Sequence, residues 1–183
     1  MTYELIGEAK APNNTTTSLE VENIPDTYKH LQCIIAGPGY HSSNPGYWLG
    51  RFNDKGGGSG EGLYQFGLMI ASGTAGAYPW TSGNEGSADS FYFGYNNGVS
   101  PYDVQGIMIL DVYDYTDTAN KKSWTSYGGI IDETTTTGGG NAMLVGAGSF
   151  PWTEAINKIS INMNSANMQT GCTLRVFGWG APE

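Results

Sequence analysis

Apolar residues in this sequence fall into short alternating or continuous runs, each cut off by Gly, Pro, Asn or Asp, and nowhere do they recur at the spacing of an amphipathic helix. That punctuation restricts the chain to short strands joined by turns. The reading places strands over Thr2–Glu8, Thr15–Ile24, Leu31–Gly37, Tyr47–Asn53, Leu63–Ser72 and Ser90–Tyr95. It continues over Val104–Tyr115, Ser123–Asp132, Asn141–Phe150, Ile156–Asn164 and Cys172–Gly180. "VQGIMILDVYDY" is the strongest of them, and "TDTANKK" reads as the hairpin loop that returns it into "SWTSYGGIID". "LQCIIAG" is a continuous apolar run and reads as a central strand, whereas residues 73–90 read as a long polar segment.

About ten strands with hairpin-sized gaps imply antiparallel pairing. One open sheet of that size would leave a broad apolar face in water, so two packed sheets are expected. The expected fold is an all-β antiparallel sandwich of jelly-roll type, one domain over 1–183. Composition agrees: Gly, Ser, Thr and Asn fill 73 of the 183 positions, Tyr occurs 12 times, and Lys and Arg together only 8. Turn and strand formers dominate over helix formers. A hydrophobic share of 39% is too high for a disordered chain. No repeat of propeller or solenoid period is present.

The formal net charge is −9. Such a surface repels phosphate backbones and anionic lipid, so neither nucleic acid nor membrane is expected as a partner. No run reaches the ~20 apolar residues of a membrane span. Residues 1–20 lack a basic segment followed by an apolar one, so synthesis in the cytoplasm without a secretion signal is expected. Cys33 and Cys172 both sit in apolar strand patterns. Free buried thiols are the expectation for a reducing compartment, and a disulfide requires the two strands to be spatial neighbours.

Reactive chemistry has little support. The two histidines are His30, after the turn "DTYK", and His41, in a Gly/Pro/Ser loop; no G-x-S-x-G element accompanies them. Asp111 and Asp114 are separated by an odd number on one strand and so point to opposite faces, which disfavours a carboxylate pair for glycoside hydrolysis. Asp54, Asp111, Asp114 and Asp117 could offer oxygen to Ca²⁺, yet the D-x-D-x-D-G spacing is missing. "GGGSGEG" lacks the Lys-Ser/Thr and helix of a phosphate loop. No enzyme activity, metal or cofactor is expected.

The candidate binding residues are aromatic. Tyr40, Tyr47, Trp48, Tyr78, Trp80 and Tyr102 lie in or beside loops, where rings can stack on sugar faces or anchor protein interfaces. Trp124, Trp152 and Trp179 lie against strands and read as core.

A set of segments in a fixed order carries a resemblance. "YELI", "LEVENIPDTYKHLQCII", "RFNDKGGGSGEGLYQF", "IMILDVYDYTDTANKKSWTSYGG" and "WTEAINKISINMNSANMQTGCTLRVFGWG" together cover nearly the whole chain. They resemble a family of small structural proteins of tailed phages. Its shared elements are IP-x-T-Y-x-x-L, an RFN-x-D/K turn, a D-Y-x-x-T-x-x-x-K hairpin and a terminal LYG-like strand. Here "VFGWG" stands in place of LYG, and "GPGYHSSNPGYW" is an unusual loop. The resemblance implies a jelly-roll virion protein, often trimeric, of the capsid decoration (cement), head-fibre or tail-fibre type. The implied partners are the major capsid protein or other virion proteins and further copies of the chain. The absence of an obvious anchor or fibre shaft favours decoration or head fibre. A tail-fibre module gripping host surface glycan is the alternative.

Overall fold

The computed structural model describes residues 3–40, 46–56, 65–72, 76–78, 90–96, 105–130, 142–163 and 167–181. Among these residues every regular element is a strand, and all pairings are antiparallel. The strands are β1 (Tyr3–Lys10), β2 (Ser18–Val21), β3 (His30–Tyr40), β4 (Gly46–Phe52), β5 (Gln65–Ser72), β6 (Gly76–Tyr78) and β7 (Phe91–Asn96). They continue with β8 (Gln105–Tyr113), β9 (Lys122–Ile130), β10 (Ala142–Phe150), β11 (Ile159–Met163), β12 (Asn167–Met168) and β13 (Thr173–Trp179).

The strands form a β-sandwich. The larger sheet runs β1-β13-β3-β8-β9-β10-β5-β6, with β12 paired to β3 outside this path; the smaller runs β2-β11-β4-β7. The two meet where β2 lies against β1 and β13, and where β7 lies against β8, β9, β10 and β5. β6, inside the polar segment 73–90, and the two-residue β12 are not among the strands expected from sequence. Both are too short to show periodicity.

Strand alternation builds the core. β11 alternates buried and half-buried residues, as "ISINM" foretells. From β3, β8 and β13 the residues Leu31, Cys33, Ile35, Met108, Leu110, Val112, Leu174 and Val176 all point between the sheets. The smaller sheet answers with Trp48, Phe52, Phe91, Ile159 and Ile161. An aromatic stack seals the middle: Phe52 lies 4.9 Å from Phe91, and Phe91 lies 4.9 Å from Trp124. Gly50 is required here, because a Cβ at that position would collide with the Phe91 ring.

Cys33 and Cys172 are both buried and free. Their segments are neighbours, since β13 pairs with β3, but the thiols are out of step. Cys33 stands opposite Val176, while the Cys172 backbone lies against Gly37, four residues along β3. That offset is roughly 13 Å at ~3.3 Å per residue, too far for a bridge. Burial pushes both thiols up, Cys172 to about 12.

Candidate functional site

The aromatic residues singled out from sequence do not form one cluster among the described residues. Tyr40 ends β3, Tyr47 is the second residue of β4 and Tyr78 ends β6. β3 and β6 are five strands apart in the larger sheet, roughly 24 Å at ~4.8 Å per step. β4 belongs to the other sheet. Trp80 and Tyr102, and the loop holding His41, lie outside the described residues. Trp48 requires a correction. It is 1% exposed, because its side chain lies on the core face of β4, opposite Met163 on β11 and Gly94 on β7. No ligand at the surface can stack on it.

Trp179 is also corrected, in the opposite direction. It is half-buried and packs outside the core against His30, with ring centroids 4.4 Å apart. Trp124 is in the core, and Trp152 is half-buried against it.

The motifs that carry the resemblance converge at one end of the sandwich, where β3 begins and β8 ends. Tyr115 is fully buried, and its hydroxyl donates to the Pro25 carbonyl. Its backbone N–H donates to the Lys29 carbonyl, and its carbonyl accepts from Ile156. Tyr28 covers Gly178, where a Cβ would collide with its ring, and its hydroxyl donates to Glu4 at 2.5 Å. Asn53 takes the left-handed conformation, φ 53°, which Asn tolerates. Its side chain donates to Glu154 Oε1 and the Ala155 carbonyl, and accepts from the backbone N–H of Asn157 and Lys158. Lys122 is 1% exposed, and its ammonium donates to the Thr153 and Glu154 carbonyls. Burial pushes its pKa down, and those two carbonyls satisfy the charge. Each motif is thus a pin that ties a turn to its neighbours.

The acidic and basic residues weighed for chemistry serve the same end. His30 Nδ1 accepts the Asp114 backbone N–H at 3.1 Å, between the rings of Trp179 and Tyr113. Burial holds its imidazole below the ordinary value. Asp111 accepts from Gln32 at 2.7 Å. Asp117 accepts from the Ala119 and Asn120 N–H groups. Asp54 pairs with Lys158, whose ammonium also meets Glu20 and Glu22 at 2.9 Å. Among the described residues no three His, Cys, Asp or Glu side chains are grouped to hold a metal ion.

One surface feature is not among the sequence expectations: the outer face of the larger sheet carries an apolar row. Ile34, Ile109, Tyr127 and Val145 stand opposite one another across β3, β8, β9 and β10. Ile107 and Met143 flank Gly129 in the next row. Ile107, Tyr127, Met143 and Val145 are 43–61% exposed. A second lobe, Tyr3 and Leu5 with Phe177, lies across the Gln32–Asp111 pair; Tyr3 stacks on Phe177 at 4.7 Å, and its hydroxyl donates to Gln32. The signal was present in "CII", "IMIL" and "MLV". A sandwich strand with one wet face alternates, whereas these runs place apolar residues on both faces.

Comparisons with protein-family models, with curated proteins and with solved structures gave no match.

Proposed function

We propose that this chain is a jelly-roll virion structural protein of a tailed phage, a capsid decoration or head-fibre protein that binds the capsid surface as a homo-oligomer, a trimer as its resemblance implies. The observation that carries the reading is the strand order. With β5-β6, β9-β10 and the short β12 set aside, eight strands remain. They fall as β1-β13-β3-β8 in one sheet and β2-β11-β4-β7 in the other. In chain order they visit the sheets large, small, large, small, small, large, small, large. This alternation supports the jelly-roll reading, an architecture found in viral capsid and lectin domains. Fold alone does not fix function, so the step to the virion rests on the ordered motifs. Their convergence on one pinned end supports treating them as a single structural signature.

The test is addition of the purified chain to phage particles stripped of decoration. Saturable binding at copy numbers comparable to the capsid subunits, with a raised temperature of particle disruption, is the expected result. No binding to capsids would overturn the proposal. Binding to host cells in its place would assign the chain to a receptor-gripping fibre tip.

A further inference from the structure

We infer that the outer face of the larger sheet is the surface through which copies of this chain associate. Three observations carry this, none of which depends on the virion reading.

The first is area. Tyr3, Leu5, Ile107, Tyr127, Met143 and Val145 are each 43–61% exposed. Ile107, Tyr127, Met143 and Val145 adjoin in one lobe with Ile34 and Ile109, and Tyr3 and Leu5 form a second beyond Gln32 and Asp111; a contiguous apolar patch of a few hundred Å² on a monomer marks an interaction surface.

The second is charge. The chain carries −9, so two copies repel over most of their surfaces. On the outer face, the charged residues of the described strands are Glu8, Asp111, Lys10 and Arg175, two acids and two bases that cancel. Glu8 is paired with both bases, at 2.7 Å to Lys10 and 3.2 Å to Arg175, along the β1–β13 flank. Asp111 is taken up by Gln32. The row Ile34–Ile109–Tyr127–Val145 holds no charge at all. A basic partner would select an acidic face; a neutral face on an acidic chain suits a second acidic chain.

The third is shape. Ala36, Gly129 and Ala147 lie among the larger side chains of this face, and such small residues let a facing surface approach closely. Sheet faces pack at ~10 Å when their side chains interdigitate.

Sedimentation velocity of the full chain over a hundredfold range of concentration tests the inference. The expected result is a concentration-dependent oligomer that Tyr127→Glu and Met143→Glu each weaken by at least about tenfold. Thr118→Glu, which adds the same charge in the exposed hairpin loop, should leave assembly unchanged. Circular dichroism establishes that each variant is folded; should either unfold, Met143→Ser replaces it. A wild-type chain that stays monomeric throughout overturns the inference, as does an oligomer indifferent to both face variants. Loss of capsid binding by Met143→Glu in a monomeric chain would also overturn it, assigning the face to the capsid and keeping only the capsid-binding part of the proposed function.

Discussion

The two faces of the larger sheet are made by the same strands and have opposite fates. On β8, Met108, Leu110 and Val112 are fully buried, whereas Ile107, one residue away, is 49% exposed. On β9, Trp124 is buried and Tyr127 faces outward. The inner face is finished within one chain, because the smaller sheet covers it. The outer face carries an apolar row beside polar residues such as Gln32, Asp111 and Thr125, and no described element covers it. An apolar row kept on the wet side of a sheet costs solubility. The difference teaches that stability and assembly are written on the same strands in alternate residues.

Substitutions on the two faces should therefore separate. Trp124→Ala removes a buried ring packed on Phe91 and should cost about 3–5 kcal/mol in denaturant unfolding. Tyr127→Ser, three residues on, should change monomer stability by no more than about 0.5 kcal/mol while weakening association. Equal losses of stability from both would break the distinction between the faces.

The pinned end should rank next. Asn53→Ala strands backbone groups of 155–158 and places Ala at positive φ, so a loss of about 2–3 kcal/mol is expected. Asn53→Gly should recover only the backbone part. Lys122→Met leaves the Thr153 and Glu154 carbonyls without their donor and should cost about 1–3 kcal/mol, with loosening of residues 151–158 visible in hydrogen exchange. Neither variant should alter association, which belongs to the outer face.

The smallest effect is one of pH. Burial depresses the folded-state pKa of His30, so the unfolded chain binds its proton first. The stability contributed by neutral His30 is full above the unfolded value of about 6.5 and is lost as pH falls through the folded one. Protonation also removes the acceptor for the Asp114 N–H. His30→Gln should flatten the decline in melting temperature that begins as pH falls below about 6.5. An unchanged slope would remove His30 from this account.

Much of the fold was legible in sequence. The hairpin around "TDTANKK" joins β8 and β9 as read, and the central strand "LQCIIAG" is β3, extended to Tyr40. The sandwich followed from strand number and punctuation. What could not be read is long-range. Strand order depends on pairings between residues more than a hundred positions apart, such as Leu174 with Ile35. Alternation alone does not say which face of β4 meets the core, so the burial of Trp48 had to come from the pairing of β4 with β11 and β7. The role of Asn53 was invisible because its four partners lie about a hundred residues downstream. The apolar outer face was legible, but the doubled runs were read only as a mark of central strands.

Hydroxyl-radical footprinting of Met143 at rising protein concentration tests most directly whether that face is buried in the assembled protein. Met143 is 61% exposed in the single chain, so dilute protein should be oxidised readily there. Its oxidation rate should fall in step with the oligomer fraction and stay high in Tyr127→Glu. Oxidation of Met143 at the monomer rate in fully assembled protein would contradict it.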